Sequence, residues 1–331
     1  MPLLKNLGEP EVIRLLQEYI NKSDLDSIED AYLCNRTSPY LLVNVDTMSK
    51  DSDFLPQQTW KQIGAKIVAI TFSDLGAKGA EPKRFLSSLV LENTMEEAEL
   101  RELVSSIQKT SQKYGATYLG GDLGSSSEAV LTGVGLGYIS EGKILARANA
   151  QKGDLVCVTG YFGLTSIGLD YLLSPKSYKF DNISNTLLNQ AIEKLYEPQP
   201  RISEGILLSK HGLATASIDS SDGLAISLHW LSQASKVGII IKNLPIDPEL
   251  EKNIDSQNTI EEITLFGGEE YELIFTIPSN KREELQELFV KHNLHFYVIG
   301  ECSGSKGVYL FKNDTLTPVQ MRGWDAFQKK V

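Results

Sequence analysis

Ile218-Asp219-Ser220-Ser221-Asp222-Gly223-Leu224-Ala225 sets two carboxylates and two hydroxyls between an apolar run and a helix-patterned one. Residues 213–218 predict a strand, and Leu224, Leu228 and Leu231 continue at helical spacing, so residues 220–223 fall at a strand-to-helix junction. Such a junction exposes unpaired backbone N–H groups and the positive end of a helix dipole, which together favour an anion. One Ser or Asp at this point is ordinarily an N-cap. Two Asp three residues apart exceed what a cap requires, which makes the turn a candidate corner for a metal and a phosphate.

Working outward, a β-then-α alternation continues through strand patterns at 155–159, 214–218, 238–241, 272–276 and 296–299. Upstream, an opening helix is expected at 9–20 and a strand at 40–45. A long buried helix follows at 57–77, with Trp60, Ile63, Ile67 and Ile70 on one side. A strand at 85–91, an amphipathic helix at 95–113 and a short strand at 117–119 lead into a turn at Gly120-Gly121-Asp122. In the strand at 129–139, Gly133, Gly135 and Gly137 share one face, which predicts close approach of another backbone. Residues 174–185 are polar and aperiodic and read as a loop. The fold class is therefore α/β (α+β), in two domains, 1–145 and 146–331.

The chain carries 32 Lys and Arg against 43 Asp and Glu in 331 residues, a net charge of −11. That balance excludes a nucleic-acid backbone or an anionic membrane as main partner. It leaves open an anionic nucleotide held through cations, which clustered carboxylates bind. Cys34, Cys157 and Cys302 are widely separated, so neither a zinc knuckle nor a disulfide framework is expected. No apolar stretch has the length of a membrane span and the N-terminus lacks signal-peptide form, so the cytoplasm is the expected location.

Four further carboxylates stand out: Asp30, Asp46 at the end of the predicted strand 41–45, Asp74 inside the long apolar helix, and Asp122 after the glycine pair. Strand ends are where ligand crevices form in α/β sheets. A carboxylate inside an apolar helix is costly unless neutralised. No G-x-x-x-x-G-K-[ST] segment exists, which excludes a Walker-type site. Ser220 and Ser221 lack a G-x-S-x-G elbow, and His211, His229, His292 and His295 form no catalytic pattern.

Taken in order, these motifs resemble thiamine-monophosphate kinase, within the aminoimidazole-ribonucleotide-synthetase-like superfamily. The matching residues are Asp30-Ala31, Val45-Asp46-Thr47-Met48, Ser73-Asp74-Leu75-Gly76-Ala77-Lys78-Gly79-Ala80 with Pro82, and Gly120-Gly121-Asp122. Arg147-Ala148-Asn149-Ala150, Pro198-Gln199-Pro200-Arg201, the opening turn, Gly267-Gly268-Glu269-Glu270-Tyr271-Glu272-Leu273 and Gly323-Trp324-Asp325 continue the series.

The resemblance implies ATP-dependent phosphorylation of thiamine monophosphate to thiamine diphosphate by direct in-line transfer, with several Mg²⁺ ions and a homodimer built through the N-terminal mixed sheet. By the same resemblance, Asp30, Asp46, Asp74, Asp122 and Asp219 would hold Mg²⁺, with Asp222 on a further ion. Gly121, Asp122, Arg147 and Ser221 would meet ATP, and Arg147 and Asp219 would serve catalysis. Asp53, Glu269 and Trp324 would meet the thiamine moiety. Four positions depart from the family pattern: Asn44 and Val45 replace usual hydroxyl residues, Asp53 a common His, and Glu270 a common Asp.

The phosphate acceptor is already anionic, so the transfer needs charge neutralisation and alignment rather than a general base. That suits a set rich in Asp and poor in His. Selenophosphate synthetase is disfavoured because no reactive Cys precedes a glycine-rich N-terminal segment. A carbamoyl-carrying hydrogenase-maturation factor is disfavoured because the sequence closes on Gln328-Lys329-Lys330-Val331 without Cys. The alternatives are another ATP-dependent enzyme of the superfamily and a non-catalytic cation- or nucleotide-binding module.

Overall fold

The structure is a computed structural model that describes Glu11 and residues 31–34, 38–174 and 183–324. Glu11 is helical; the rest of the expected opening helix and Asp30 lie outside the described residues. The first sheet comprises β1 (Tyr32–Leu33), β2 (Tyr40–Ser49), β3 (Glu81–Glu92), β4 (Thr117–Ser126) and β5 (Val130–Ile139), in the order β1-β2-β5-β3-β4. Only β3 and β4 run parallel. Helices α1 (Trp60–Ala77) and α2 (Glu97–Lys113) connect its strands and pack together. Thr59 starts α1 with a capping box, its hydroxyl accepting Gln62 N–H while the Gln62 side chain accepts Thr59 N–H.

The glycine stripe of β5 does admit a close neighbour, and that neighbour is the side-chain row of α1. A Cβ on Gly133 would lie 2.5 Å from Thr71 Oγ1, and one on Gly135 would lie 2.9 Å from Thr71 Cγ2. The apolar side of α1 fills the core: Phe72 is fully buried and meets Phe85 edge-on at 5.6 Å. Burial of one such ring stabilises by about 1.5–3 kcal/mol.

The second sheet has seven strands: β6 (Leu155–Val158), β7 (Ala216–Asp219), β8 (Gly238–Ile241), β9 (Leu273–Ile277), β10 (Tyr297–Ser303), β11 (Gly307–Lys312) and β12 (Thr315–Pro318). Their order is β12-β11-β8-β10-β6-β9-β7. The helices around it are α3 (Leu164–Leu173), α4 (Asn185–Tyr196), α5 (Ile202–Lys210), α6 (Leu224–Ser235), α7 (Pro248–Asn253), α8 (Gln257–Phe266) and α9 (Arg282–Lys291). Only β8 and β11 pair in parallel. Helix α5 crosses back onto α1, where a Cβ on Gly205 would stand 1.9 Å from the Gly76 carbonyl oxygen. Two glycines are needed there because the two domains touch backbone to backbone.

Three expectations change. Asp46 does not end its strand, because β2 runs on to Ser49, paired residue for residue with β5. Gly120-Gly121-Asp122 is not a turn: β4 continues through it, with an irregularity opposite the Phe85–Ser87 stretch that the positive φ of both glycines accommodates. The rule placing ligands at strand C-termini belongs to parallel sheets, and both sheets here are largely antiparallel. The hairpin β11–β12 also carried no prior assignment. Residues 175–182 of the expected loop lie outside the described residues.

Candidate active site

Strand β7 ends at Asp219 and α6 begins at Leu224, so the opening octapeptide is the strand-to-helix junction expected of it. The ordinary explanation, a side-chain N-cap, does not hold. The N-cap is Gly223 at φ 115°, and no side chain caps the helix. Its first N–H groups are thus available to an anion.

The turn is clasped by three hydrogen bonds from two segments of the chain. Glu269 N–H donates to Ser221 O at 2.7 Å, Glu272 N–H to Ser220 Oγ at 3.0 Å, and Trp324 N–H to Asp222 O at 2.9 Å. A Cβ on Gly223 would come 2.4 Å from the Gly267 carbonyl oxygen, which explains glycine at that contact. Glu269 and Trp324 therefore flank Ser221 and Asp222.

The N-terminal domain supplies the other wall. Asn44, which is 2% exposed, donates from one amide nitrogen to Asp46 Oδ2 at 2.8 Å and to Asp74 Oδ2 at 3.0 Å. This hydrogen bond offsets part of the desolvation cost that made Asp74 anomalous inside α1. One residue before Asp74, Ser73 Oγ donates to Asp219 Oδ2 at 2.9 Å across the domain boundary. Tyr271 lies among these groups. Burial, then the carboxylates of Glu269, Asp219, Asp46 and Asp222, hold its phenol well above the usual pKa.

Among the described residues no three carboxylate, imidazole or thiol side chains close into a finished metal cage. Asp122 stands apart. It pairs with Ser88, in the row that continues through Thr132 and Thr47, whereas Gly121 shares the row Ser87–Gly133–Asp46. Successive rows face opposite sides of a sheet, so Asp122 is on the side away from Asp46, about 14 Å off by three strand spacings. Val45 is 60% exposed on that outer side. Asp53 turns its Oδ2 onto its own loop, accepting Ser49 N–H at 2.7 Å and Ser52 Oγ at 2.6 Å. Arg147 follows Ala146, whose carbonyl accepts Ser217 N–H at 2.9 Å, which sets Arg147 beside the edge strand that carries Asp219.

Behind the clasp lies an ion network whose members the sequence reading had left without roles. Glu270 and Glu272 are 2% and 1% exposed. Lys194 pairs with Glu270, while Arg201 holds Glu272 through two bonds of 2.6 Å. Thr159 and Thr165 donate to the same two carboxylates at 2.7 and 2.8 Å. Lys66 of α1, 2% exposed, pairs with Glu269 at 2.5 Å. The available signal was a Lys inside an apolar helix, the same anomaly that singled out Asp74.

Residues 29–139 match the AIR synthase related protein N-terminal domain, and residues 151–313 match its C-terminal domain. The thiamine-monophosphate kinase of Pyrococcus abyssi is 32% identical over 98% of this chain and 97% of its own length. A solved structure described as AaThiL complexed with AMPPCP and TMP superposes with a TM-score of 0.84 at 28% identity, covering 98% of this chain and 99% of that one. A HypE–HypF complex, at 19% identity and a TM-score of 0.74 over 93% of this chain and 98% of that one, shares the fold alone. Two such domains joined at a carboxylate-bearing contact, in a chain this similar along its whole length, assign it to a family: the chain belongs to the AIR synthase related proteins and, among them, to the thiamine-monophosphate kinases.

Proposed function

We propose that the protein transfers the terminal phosphoryl group of ATP to thiamine monophosphate, giving thiamine diphosphate and ADP. The observation that carries this reading is the pairing of Asp46 and Asp74 through Asn44, next to the Ser73 hydroxyl that reaches Asp219 across the domain boundary, beside an uncapped helix N-terminus. The donor set is all hard oxygen and is gathered without forming a closed cage. That fits Mg²⁺, which keeps several waters and takes one or two carboxylates plus substrate phosphates.

Asp46, Asp74, Asp219 and Asp222 would hold the ions, with Asp30 as a further ligand; Asp122, on the opposite face of its sheet, lies outside this set. When bound, Mg²⁺ supplies charge neutralisation between the carboxylates and the phosphates and polarises the transferring group. The chain does the rest by positioning. The N–H groups at the start of α6 and Ser221 receive nucleotide phosphates, with Gly121 towards the nucleotide. Arg147 neutralises charge developing on the transferring phosphoryl oxygens. Glu269 and Trp324 bracket the acceptor's cationic rings, Trp324 through its 40% exposed indole, and Asp53 offers its remaining oxygen. We set the domain boundary at 145/146. We assign the protein to the cytoplasm; among the described residues no helix is long and apolar enough to cross a membrane.

Purified protein is expected to form thiamine diphosphate and ADP from thiamine monophosphate and ATP, and to stop when EDTA removes Mg²⁺. No product from folded protein that still binds nucleotide would sink the proposal.

A homodimer through the outer face of the first sheet completes the reading. Val45 pairs with Val134 and Val134 with Leu86, a row of apolar residues on the side opposite α1. Exposed Val45 and a covered partner surface are what a sheet-to-sheet dimer would reconcile. Val45→Lys is expected to convert a dimer to monomer in sedimentation velocity at micromolar concentration. Wild-type protein that sediments as a monomer would remove this interface.

A further inference from the structure

The segment 267–273 contains two non-glycine residues in the left-handed region, Glu269 at φ +68° and Tyr271 at φ +53°. Side chains rarely adopt this conformation, and it persists where the surroundings over-determine it. Here the surroundings are ionic. The even-numbered acids, Glu270 and Glu272, point into the buried network with Lys194 and Arg201. The odd-numbered Glu269 points the other way, towards the first domain, and meets Lys66.

This contact makes the two oxygens of Glu269 unequal. Oε2 is buried against Lys66 Nζ at 2.5 Å, while the side chain as a whole remains 31% exposed. What remains exposed is therefore the Oε1 side of a carboxylate whose other half is fixed. Lys66 itself is 3% exposed in its side chain. A buried ammonium is too costly to keep without such a partner. Lys66 also belongs to the helix that carries Asp74, eight residues or about 12 Å further along the axis.

We propose that Lys66 is a positioning residue for the phosphate acceptor: it locks Glu269 so that one carboxylate oxygen faces a cationic or amino-bearing ring of the acceptor. The inference rests on the kinase reading given above. One rigid helix then sets both ends of the acceptor, with Lys66 and Glu269 at the ring end and Asp74 at the phosphate end. Rings joined to phosphate by a shorter or longer linker would fail to satisfy both, so α1 acts as the gauge for acceptor length.

Lys66→Met keeps an unbranched side chain of nearly the same length and removes the charge. It is expected to raise the KM for thiamine monophosphate at least tenfold, with the KM for ATP changed less than twofold and kcat at saturation lowered less than threefold. Calorimetric titration of thiamine monophosphate into the variant with a non-hydrolysable ATP analogue is expected to show the same tenfold loss. A merely structural role would move both substrates and the unfolding temperature together. The double variant Lys66→Met/Glu269→Gln is expected to bind the acceptor no more weakly than Glu269→Gln alone, because Lys66 acts through Glu269. If Lys66→Met fails to fold, the double variant, in which neither charge is left unpaired, supplies the comparison. An unchanged KM for the acceptor, or a loss confined to kcat, would overturn the proposal. A wild-type protein inactive on thiamine monophosphate would instead overturn the kinase reading, and the two failures are distinct.

Discussion

Asp219→Asn is expected to lower turnover of thiamine monophosphate and ATP by 10²-fold or more, with the fold retained. Asp219 is 5% exposed and accepts from Ser73 Oγ at 2.9 Å. Asn preserves the volume and can accept the same hydrogen bond, so packing and the contact between α1 and β7 survive. What disappears is one negative charge from a group that depends on cations to bring ATP in. Two unit charges about 4 Å apart interact by roughly 4 kcal/mol at an effective dielectric near 20. Losing one fixed electrostatic element at a reacting centre ordinarily costs about 3–4 kcal/mol, or 10²–10³ in rate. Asp74→Asn is expected to behave alike, since its carboxylate shares Asn44 with Asp46. Steady-state rates across a Mg²⁺ titration, with unfolding temperatures beside them, decide the matter. Wild-type rates in both variants would remove these residues from the metal site.

Arg201→Met carries the largest expected effect on stability. Its guanidinium gives two hydrogen bonds of 2.6 Å to Glu272, which is 1% exposed. Removing Arg201 leaves that carboxylate with Thr159 at 2.7 Å and the more distant Lys194 at 3.9 Å. Breaking one side of a buried ion pair typically destabilises by about 3–5 kcal/mol, because the remaining charge stays desolvated. Urea unfolding of Arg201→Met is expected to show a loss in that range. The double variant Arg201→Met/Glu272→Gln is expected to regain part of it, since a neutral amide costs less to bury than an unpaired carboxylate. A loss below about 1 kcal/mol would mean that water or Lys194 already serves Glu272. Activity should fall as well, because Glu272 N–H holds Ser220 in the site turn.

The site was legible where a residue type contradicted its own local pattern. Asp74 inside an apolar helix and two Asp at one turn are costly choices; the structure gives Asp74 the Asn44 amide and gives Asp219 the Ser73 hydroxyl across the domain boundary. Other features were visible only in part. The stripe of Gly133, Gly135 and Gly137 announced a close approach but not that Thr71 and Leu75 would make it. Local patterns also misplaced Asp46 and Asp122. Alternation reports a strand but not whether its partner is parallel, so the extension of β2 past Asp46 and the run of β4 through two glycines depended on pairing with β5 and β3.

By itself the sequence determined the class of fold, the long helix α1, the junction at residues 218–225 and an acid-rich, histidine-poor chemistry, because these follow from periodicity, turn chemistry and charge along one stretch of chain. Only the tertiary structure decided which carboxylates meet. It joined Asp46 to Asp74 through Asn44, brought Asp219 to Ser73, turned Asp122 to the other face of its sheet and paired Lys66 with Glu269. The physical reason is that burial of an ion depends on its partners, and those partners lie up to about two hundred residues away along the chain.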